Sequence, residues 1–500
     1  MKKRNGFCLL LLLGCLLLSF TACAEEEPSK QADKPGASSS SQPQGAHTHV
    51  WQDATCDTPR ICGECGAEEG AALGHTFVRG VCSVCGEVDY STLSPSEGLE
   101  FELNAEATAY HVVGIGTCTD IDIVIPDVHN GLPVIAIGEG AFDNCDEITS
   151  VFLPVSITHL ATRGFYSCNL LSTVVLSNGL TAIGENAFAQ CRSLQSVTIP
   201  EGVTHIEQNA FYNCYSMQNV TVPTTLQYIG VNAFGGCDQL KEVYISDLTA
   251  WCQITFEDNP LYDAEALYLN GSVLTDIVIP DGVTTVVDRV FCGYEGLQSI
   301  VIHDNVTAIG ASAFQACHNL KHITIGAGVT VIGEQAFENC SAFEQLTIPA
   351  NVTDMADNAF ANCYALQDLE IYGDLTTVGE GVFAGCTGLT DVYLDAGITV
   401  LGQEMFKMCT SLRSIAIPGT VSELGYGVFW SCKELTEIVI PSSVEKIGDK
   451  AFQSCKKLEN IYCEAESKPE KWDNGWHSEC PAVIRWQDAW QYVDGKPALK

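Results

Sequence analysis

A cysteine every 23 residues limits how this chain can fold more than any other feature of the sequence. The spacing is kept without exception through two long runs. The runs are Cys145, Cys168, Cys191, Cys214 and Cys237, and then Cys317, Cys340, Cys363, Cys386, Cys409, Cys432 and Cys455. A fixed period in the range of roughly 20 to 50 residues indicates a solenoid, in which each repeat buries its apolar face only by stacking on its neighbours.

The repeat RSLQSVTIPEGVTHIEQNAFYNC, residues 192–214, shows what one coil contains. Leu194, Val197 and Ile199 alternate with polar residues, which predicts a short β-strand with one buried face. The apolar residues that follow are spaced three to five apart, and they are Val203, Ile206, Ala210 and Phe211. This spacing predicts a loose helical or 3₁₀ return, so we expect an α/β repeat of strand, turn and return.

A phenylalanine lies three residues before each cysteine of the two runs. Phe291 occupies the same column, with Tyr294 in the cysteine position, so 13 of the 20 phenylalanines are predicted to form one internal ladder. The full column is Phe142, Phe165, Phe188, Phe211, Phe234, Phe291, Phe314, Phe337, Phe360, Phe383, Phe406, Phe429 and Phe452.

The cysteine column allows two interpretations, disulfides or free thiols. Neighbouring coils about 4.8 Å apart bring the Cα atoms into range. Parallel Cα–Cβ bonds, however, leave the Cβ atoms farther apart than the about 3.8 Å that a disulfide needs. We therefore predict buried free thiols that pack as small apolar side chains.

The consensus L-x-x-V-x-I-P-x-x-V-x-x-I-x-x-x-A-F-x-x-C resembles the leucine-rich repeats of the BspA type, which occur in surface proteins of bacteria and some protists. The resemblance extends from about Leu99 to Cys463. It implies a leucine-rich-repeat solenoid of about 13 coils of 23 residues, usually on a cell surface. Several members of that family act as adhesins or bind host matrix proteins.

Residues 1–22 have the basic start and apolar run of a secretion signal. The segment resembles a bacterial lipoprotein signal, which implies that Cys23 becomes the lipid-carrying first residue. Phe20 stands where such signals usually have leucine, so a simple secretory peptide or an uncleaved anchor is the alternative. Residues 23–46 contain no aromatic or branched apolar side chain and are predicted to form a disordered tether.

Residues 47–90 carry the pattern of a small Cys- and His-rich module. Two CxxCG units are separated by 16 residues, the spacing of a zinc ribbon, which predicts a closed structural Zn²⁺ site. One grouping of ligands is Cys62, Cys65, Cys82 and Cys85, and the alternative is His49, Cys56, Cys62 and Cys65. Disulfides are the competing hypothesis, because a compartment outside the membrane permits them, although five cysteines cannot all pair.

The sequence predicts a cap at each end of the repeat array and one insertion within it. The segments are an N-terminal cap with the first coil (95–145), the solenoid (146–463), a variant insertion within it (246–294) and a C-terminal cap (464–500). Four tryptophans occur in the last segment, at 472, 476, 486 and 490. They predict a cover for the end of the core, with a carbohydrate-binding platform as the alternative.

Composition and motifs exclude several functions. The formal net charge is −38, which disfavours binding to nucleic acids and to anionic lipid surfaces. None of the 11 histidines is in an H-E-x-x-H motif, and the sequence has no G-x-S-x-G motif and no glycine-rich phosphate loop. We therefore predict a protein that is not an enzyme.

A candidate binding site lies on the outward positions of two adjacent strands. Five, seven and nine residues after each cysteine, most coils have Ser, Thr, Asn or Pro, but two coils have acids and tyrosines. These residues are Asp368, Glu370 and Tyr372, and Asp391, Tyr393 and Asp395, flanked by Gln345, Thr347 and Tyr462. Tyrosines beside carboxylates predict a site for a basic protein segment or a sugar. Bound Ca²⁺ and a merely solvated polar face are the alternatives.

The expected function is adhesion by a cell-surface, lipid-anchored extracellular protein that uses the concave face of the solenoid. The expected partners are extracellular proteins or glycoproteins of host or neighbouring cells, and contact with the membrane is expected only through the lipid anchor. A carbohydrate-capturing surface lipoprotein and a structural envelope protein without a specific ligand are the alternatives.

Overall fold

The computed structural model describes residues 92–262 and 264–500 in full. Before them it describes only the backbone of five short strands. The chain divides into two compact units, Met1–His75 and Thr76–Lys500. In the first unit, Trp51–Gln52, Arg60–Cys62 and Glu68–Glu69 form an antiparallel sheet. The second unit begins with the hairpin of Phe77–Val78 and Val81–Cys82. The predictions for residues 1–46 lie outside the described residues.

Nearly every coil of the second unit contains a short first strand, and these first strands run parallel to one another. Sixteen are described, in five groups, and within a group each strand pairs with its neighbour, as Val197 does with Val220. They are Asp122–Val124, Ser150–Phe152, Thr173–Val175, Ser196–Thr198, Asn219–Thr221, Glu242–Ile245, Ala266–Leu269, Asp276–Val278, Ser299–Ile302, His322–Ile325, Gln345–Ile348, Asp368–Ile371, Asp391–Leu394, Glu437–Ile440, Asn460–Cys463 and Val483–Arg485. We call this stack the first-strand ladder.

A second ladder of shorter strands runs beside the first. Its members also pair in parallel, as His205 does with Tyr228. They are Tyr110–Gly114, Leu132–Ile137, His159–Leu160, Ala182–Ile183, His205–Ile206, Tyr228–Ile229, Thr255–Phe256, Thr285–Val286, Ala308–Ile309, Val331–Ile332, Asp354–Met355, Thr377–Val378, Val400–Leu401, Glu423–Leu424 and Lys446–Ile447. The remaining elements are the strands Glu100–Leu103, Val128–His129, Ser272–Val273, Trp490–Val493 and Lys496–Leu499, the helix Leu248–Trp251 and the 3₁₀ turn Gln487–Ala489.

The prediction of a helical or 3₁₀ return is wrong, and the count of 13 coils is too low. In the return, alternate N–H groups donate to carbonyls of the next coil, as Phe211 does to Ala233 at 2.8 Å. The N–H groups between them close turns by donating three residues back, as Ala210 does to Glu207 at 3.2 Å, and none continues as an α-helix. Two positions per coil have a left-handed backbone, for example Asn209 at φ 56° and Asn213 at φ 60°. A left-handed residue at every fourth position is incompatible with an α-helix. The fold is therefore a solenoid of stacked parallel strands with almost no helix among its described residues.

The predicted phenylalanine ladder forms the centre of the core. Consecutive rings are parallel and offset, with centroids 4.9 Å apart for Phe314 and Phe337 and 5.0 Å apart for Phe337 and Phe360. The stack runs from Phe142 to Phe234 and resumes at Phe291. Offset stacking adds a preferred ring orientation to the apolar area that each ring buries.

The cysteines of the ladder are free, as predicted, and they have a specific partner. From Cys168 onward, each thiol of the column donates to the carbonyl of the phenylalanine in the preceding coil, as Cys214 does to Phe188 at 3.3 Å. The same carbonyl also accepts the backbone N–H of Cys191 at 3.1 Å. A thiol is small enough to fit between coils and supplies a weak donor for the second lone pair of this buried oxygen.

The variant insertion replaces the interrupted part of the phenylalanine ladder with its own contacts. Asp247 caps the helix Leu248–Trp251 by accepting the N–H groups of Thr249 and Ala250. The indole of Trp251 is buried and donates to the carbonyl of Val290 at 3.1 Å.

Tyr294, in the cysteine position at the end of the insertion, has a structural role. Its hydroxyl donates to the carbonyl of Leu274 at 2.6 Å and accepts the N–H of Leu267 at 3.1 Å. The tyrosine therefore bridges the two strands of the insertion, which a thiol is too short to do.

Tryptophans cover the last coil. Trp476 meets the ring of Phe452 edge-on at 5.7 Å, where the next phenylalanine of the ladder would lie. Trp472 donates to the carbonyl of Val444 and Trp490 to that of Cys463. All three indoles are buried, so they offer no free ring face for stacking on a sugar. Within the described residues, no helix has the length and apolar character that crossing a membrane requires.

Truncating one ring of the ladder tests how much the stack stabilises the fold. We expect Phe337→Ala to lower the free energy of unfolding by about 3–5 kcal/mol, because the side chain is fully buried between two rings. Chemical denaturation measures the change. The control is Tyr364→Ala, which removes a ring that is 50% exposed and should change stability by no more than about 0.5 kcal/mol. Equal effects of the two substitutions would contradict the proposed role of the ladder.

Burial also predicts the reactivity of the thiols. Desolvation raises the pKa of Cys317, Cys363 and Cys409, so these groups stay neutral in mildly alkaline solution and lack the reactive thiolate form. We expect a charged thiol reagent to leave them unmodified in the folded, reduced protein and to modify them after unfolding. Cys118, which is partly exposed, is the internal control and should react in both states. Peptide mapping by mass spectrometry separates the sites, and modification of the buried thiols in the folded protein would refute the assignment.

Candidate functional site

The outward face of the first-strand ladder is set by the alternation of side chains along each strand. In Gln345–Ile348, Leu346 and Ile348 are buried whereas Gln345 and Thr347 are exposed. The same alternation holds in Asp368–Ile371. Because the register between coils is constant, equivalent outward residues stand in columns across the coils.

The structure brings the predicted site residues together on two adjacent strands, Asp368–Ile371 and Asp391–Leu394. Asp368 is directly opposite Asp391, and Glu370 is opposite Tyr393. Tyr372 and Asp395 follow at the ends of these strands. The rings of Tyr372 and Tyr393 are 5.3 Å apart, tilted by 47°. We call these six residues, Asp368, Glu370, Tyr372, Asp391, Tyr393 and Asp395, the acid–tyrosine patch.

Each tyrosine of the patch is hydrogen bonded to a carboxylate on its own strand. The hydroxyl of Tyr372 donates to Glu370 and that of Tyr393 donates to Asp395, both at 3.3 Å. The negative charge of Glu370 raises the pKa of Tyr372, and that of Asp395 raises the pKa of Tyr393. Both rings remain exposed, by 39% and 48%, so they stand at the surface as neutral phenols held by their acids.

The predicted flanks of the patch are only partly correct. Gln345 donates to Asp368 at 3.1 Å and Thr347 donates to Glu370 at 3.4 Å, so both extend the patch to a third strand. Tyr462 does not belong to it. That ring is only 5% exposed and packs against Trp490 with centroids 5.3 Å apart, because the C-terminal segment covers its column.

A second group of this kind, not predicted from the sequence, lies on the strands Glu242–Ile245 and Ala266–Leu269. Tyr244 and Tyr268 are opposite each other, with their rings stacked at 4.7 Å. Tyr244 donates to Glu242 at 2.7 Å, and burial together with this acid raises the pKa of Tyr244 to about 12. Glu242 and Tyr244 lie five and seven residues after Cys237, so counting outward positions from the cysteines could have found them. Tyr268 lies in the insertion, where the 23-residue spacing is lost and the same count does not apply.

No group of His, Cys, Asp or Glu residues that could hold a metal ion occurs among the described residues. The side chains of His49, Cys56, Cys62, Cys65, Cys82 and Cys85 lie outside the described residues, and structural zinc bound by them stays a prediction.

The pKa values of the two patch tyrosines can be separated by one substitution. We expect Glu370→Gln to lower the pKa of Tyr372, because removing a neighbouring negative charge makes the phenolate less unfavourable. The pKa of Tyr393 should fall less, since its main partner is Asp395. Titration of ring-labelled tyrosines by NMR measures both values in one sample. Equal shifts, or none, would show that these pairs are not formed in solution.

Comparison with known proteins agrees with the repeating coil. The model of one protein family, described as the BspA type leucine-rich repeat region and made of six copies of the repeat, matches residues 135–262, 265–390 and 376–474. No curated protein matches the sequence. A solved leucine-rich repeat protein from Bacteroides ovatus has a TM-score of 0.50 and 21% identity, covering 79% of this chain and 100% of its own. This likeness shows the fold alone.

A second solved structure is a leucine-rich cell surface protein from Faecalibacterium prausnitzii. It is 26% identical, with 78% of this chain and 97% of that chain covered and a TM-score of 0.45. The family match alone covers well over half of the sequence. It confirms the resemblance seen in the repeat, and the chain belongs to the BspA-type leucine-rich repeat family.

Proposed function

We propose that this protein is a non-catalytic, lipid-anchored bacterial surface protein that binds basic segments of other proteins. The partners are proteins or glycoproteins of host or neighbouring cells, and the acid–tyrosine patch is the contact surface. The family supports the general part of this proposal, because leucine-rich repeat proteins are typically non-enzymatic and act at surfaces or in protein interactions.

One observation carries the specific part. Four carboxylates and two tyrosines stand on outward positions of two paired strands, where they make no contribution to the buried core. The tyrosine hydroxyls are already bonded to carboxylates, so the rings are held in place before a partner arrives. Rigid aromatic side chains lose little conformational entropy on binding, and a dense group of carboxylates attracts cationic side chains.

Basic protein segments fit this surface better than sugars do. Binding of a sugar by stacking uses an open aromatic ring face, and Trp472, Trp476 and Trp490 are buried. The acids of the patch instead favour lysine and arginine, which pair with carboxylates and also pack on tyrosine rings.

The location rests on the sequence and the family together. BspA-type proteins are typically found at the bacterial cell surface, and the first 22 residues have the character of a secretion signal. We propose that Cys23 carries the lipid and that residues 23–46 connect the anchor to the rest of the protein.

The test is binding of the protein from Ala24 onward to immobilised matrix proteins, mucins and polysaccharides. The patch variant has Asp368, Glu370, Asp391 and Asp395 changed to their amides. We expect saturable binding to at least one protein, weakened by about tenfold or more in this variant, because several exposed charge pairs are lost at once. Raised salt should weaken binding of the unmodified protein in the same direction.

A charge-matched control separates the patch from the general acidity of the chain. Glu106, Asp120, Asp238 and Glu295 are exposed and lie outside the outward columns of the ladder. Changing these four to amides alters the net charge equally and should leave binding nearly unchanged. An equal loss in both variants would contradict the patch as the site. Binding only to polysaccharides, or to nothing on the panel, would contradict the proposed partner class.

A further inference from the structure

The first-strand ladder is interrupted beside the acid–tyrosine patch. His322–Ile325 and Gln345–Ile348 are neighbouring first strands, yet they belong to separate sheets. In the adjoining coils, the residue before the strand donates its N–H across to the preceding coil, as Lys321 does to Gln298 and Gln367 does to Glu344. The equivalent bond from Glu344 to Lys321 is absent, so this N–H and this carbonyl have no backbone partner among the described residues.

Phe343 distinguishes this coil from its neighbours. Three residues after the cysteine, the neighbouring coils have Leu320 and Leu366, and all three side chains are fully buried. Those leucines donate their N–H groups to the carbonyl of the cysteine in the same coil, but Phe343 does not. A phenyl ring is larger than the leucine side chains beside it in this column, and a close-packed core has little free volume to absorb it.

A groove lies in the outward face at this interruption. Its volume is about 910 Å³, and it is lined by Lys321, His322, Ile323, Ile325, Glu344 and Thr347, among others. Ile323 and Ile325 are only half-buried, whereas Ile300 and Ile302 at the same positions of the preceding coil are fully buried. The groove thus exposes apolar side chains that the preceding coil hides, and it shares Gln345 and Thr347 with the edge of the patch.

The same chain shows how such an opening can be covered. Ser414–Ile417 is not paired with Glu437–Ile440 as a strand, and a groove of about 540 Å³ lies there. It is lined on one side by Ile415 and Ile417, and on the other by Tyr492 and Pro497 of the C-terminal hairpin. An extended segment of this chain therefore lies over the second opening. The groove beside Phe343 is not lined by any such segment of the described residues.

We propose that the groove beside Phe343 binds an extended segment of a partner protein in which a branched aliphatic residue is flanked by lysine or arginine. The aliphatic side chain packs on Ile323 and Ile325. The backbone of the segment lies along the groove and covers the unpaired N–H of Glu344 and the unpaired carbonyl of Lys321. The basic residues reach the acid–tyrosine patch. This inference rests on the proposed function and names the kind of segment that is recognised.

A matched pair of peptides tests the groove separately from the patch. Both are extended lysine–serine peptides, and they differ only in having isoleucine or alanine at the central position. We expect the isoleucine peptide to bind the unmodified protein about tenfold more tightly, because only isoleucine buries apolar surface against the groove. Phe343→Leu should remove this difference, while binding of the alanine peptide stays unchanged. We expect leucine at this position to let the hydrogen bond from Glu344 to Lys321 form and so to close the groove.

Hydrogen exchange provides an independent readout on the same samples. The Glu344 amide should exchange rapidly in the free protein. It should become protected both in Phe343→Leu and when the isoleucine peptide binds. Protection in the variant shows that the groove has closed.

The outcomes separate this inference from the proposed function. If both peptides bind the unmodified protein equally and neither binds the amide variant of the patch, the proposed role of the groove is overturned. The proposed function would then still stand. A preference for isoleucine that persists in Phe343→Leu with a protected Glu344 amide would also overturn it. No binding of either peptide overturns the groove as well, and the panel of matrix proteins then decides the proposed function alone.

Discussion

Hydrogen bonding from each coil to the next, at an offset of about 23 residues, is the interaction on which the rest of this structure depends. The N–H groups of the strands and alternate N–H groups of the returns find their carbonyl partners one coil away. Buried backbone groups must be paired, so this requirement fixes the position of every core side chain relative to its counterpart. The phenylalanine stack and the column of thiols are consequences of that register.

The left-handed positions show how the coil meets this requirement. Two residues per coil adopt positive φ, and asparagine is frequent among them, as at Asn209, Asn213, Asn358 and Asn362. Asparagine tolerates this conformation better than most residues, because its short side chain can bond locally. The turns they create point successive N–H groups at the neighbouring coil, which a helix would direct along its own axis.

Much of the fold could be predicted from the sequence because it follows from the period and from apolar alternation. Equal spacing places Phe337 between Phe314 and Phe360 without any knowledge of the backbone path. The return could not be predicted in the same way, since Val203, Ile206, Ala210 and Phe211 satisfy the spacing of a loose helix. Their strand and turns are set by bonds to residues 23 positions away, and a local pattern contains no information about those bonds.

The candidate site could likewise be predicted only where it depends on the register between coils. The columns placed Asp368, Glu370, Asp391 and their tyrosines on one face, because outward positions depend only on the register. The columns also placed Tyr462 there, but its exposure is decided by a contact with Trp490 that lies outside the repeat.

The opening beside Phe343 was equally hidden from sequence reasoning. Phenylalanine satisfies the apolar pattern of its column as well as leucine does, and the missing hydrogen bond between Glu344 and Lys321 is visible only in the structure.

Stability that arises between nearest neighbours leaves the outward face free to vary. A substitution such as tyrosine for threonine on that face disturbs no hydrogen bond between coils. Even where such a bond is missing, only one of the many interfaces between coils is weakened. The coils on both sides of Phe343 keep their hydrogen bonds to their other neighbours. They form a rigid frame that keeps the groove open. For the same reason the patch and the groove stay in fixed register with each other. A partner segment that satisfied both would gain the second contact without ordering any part of this protein.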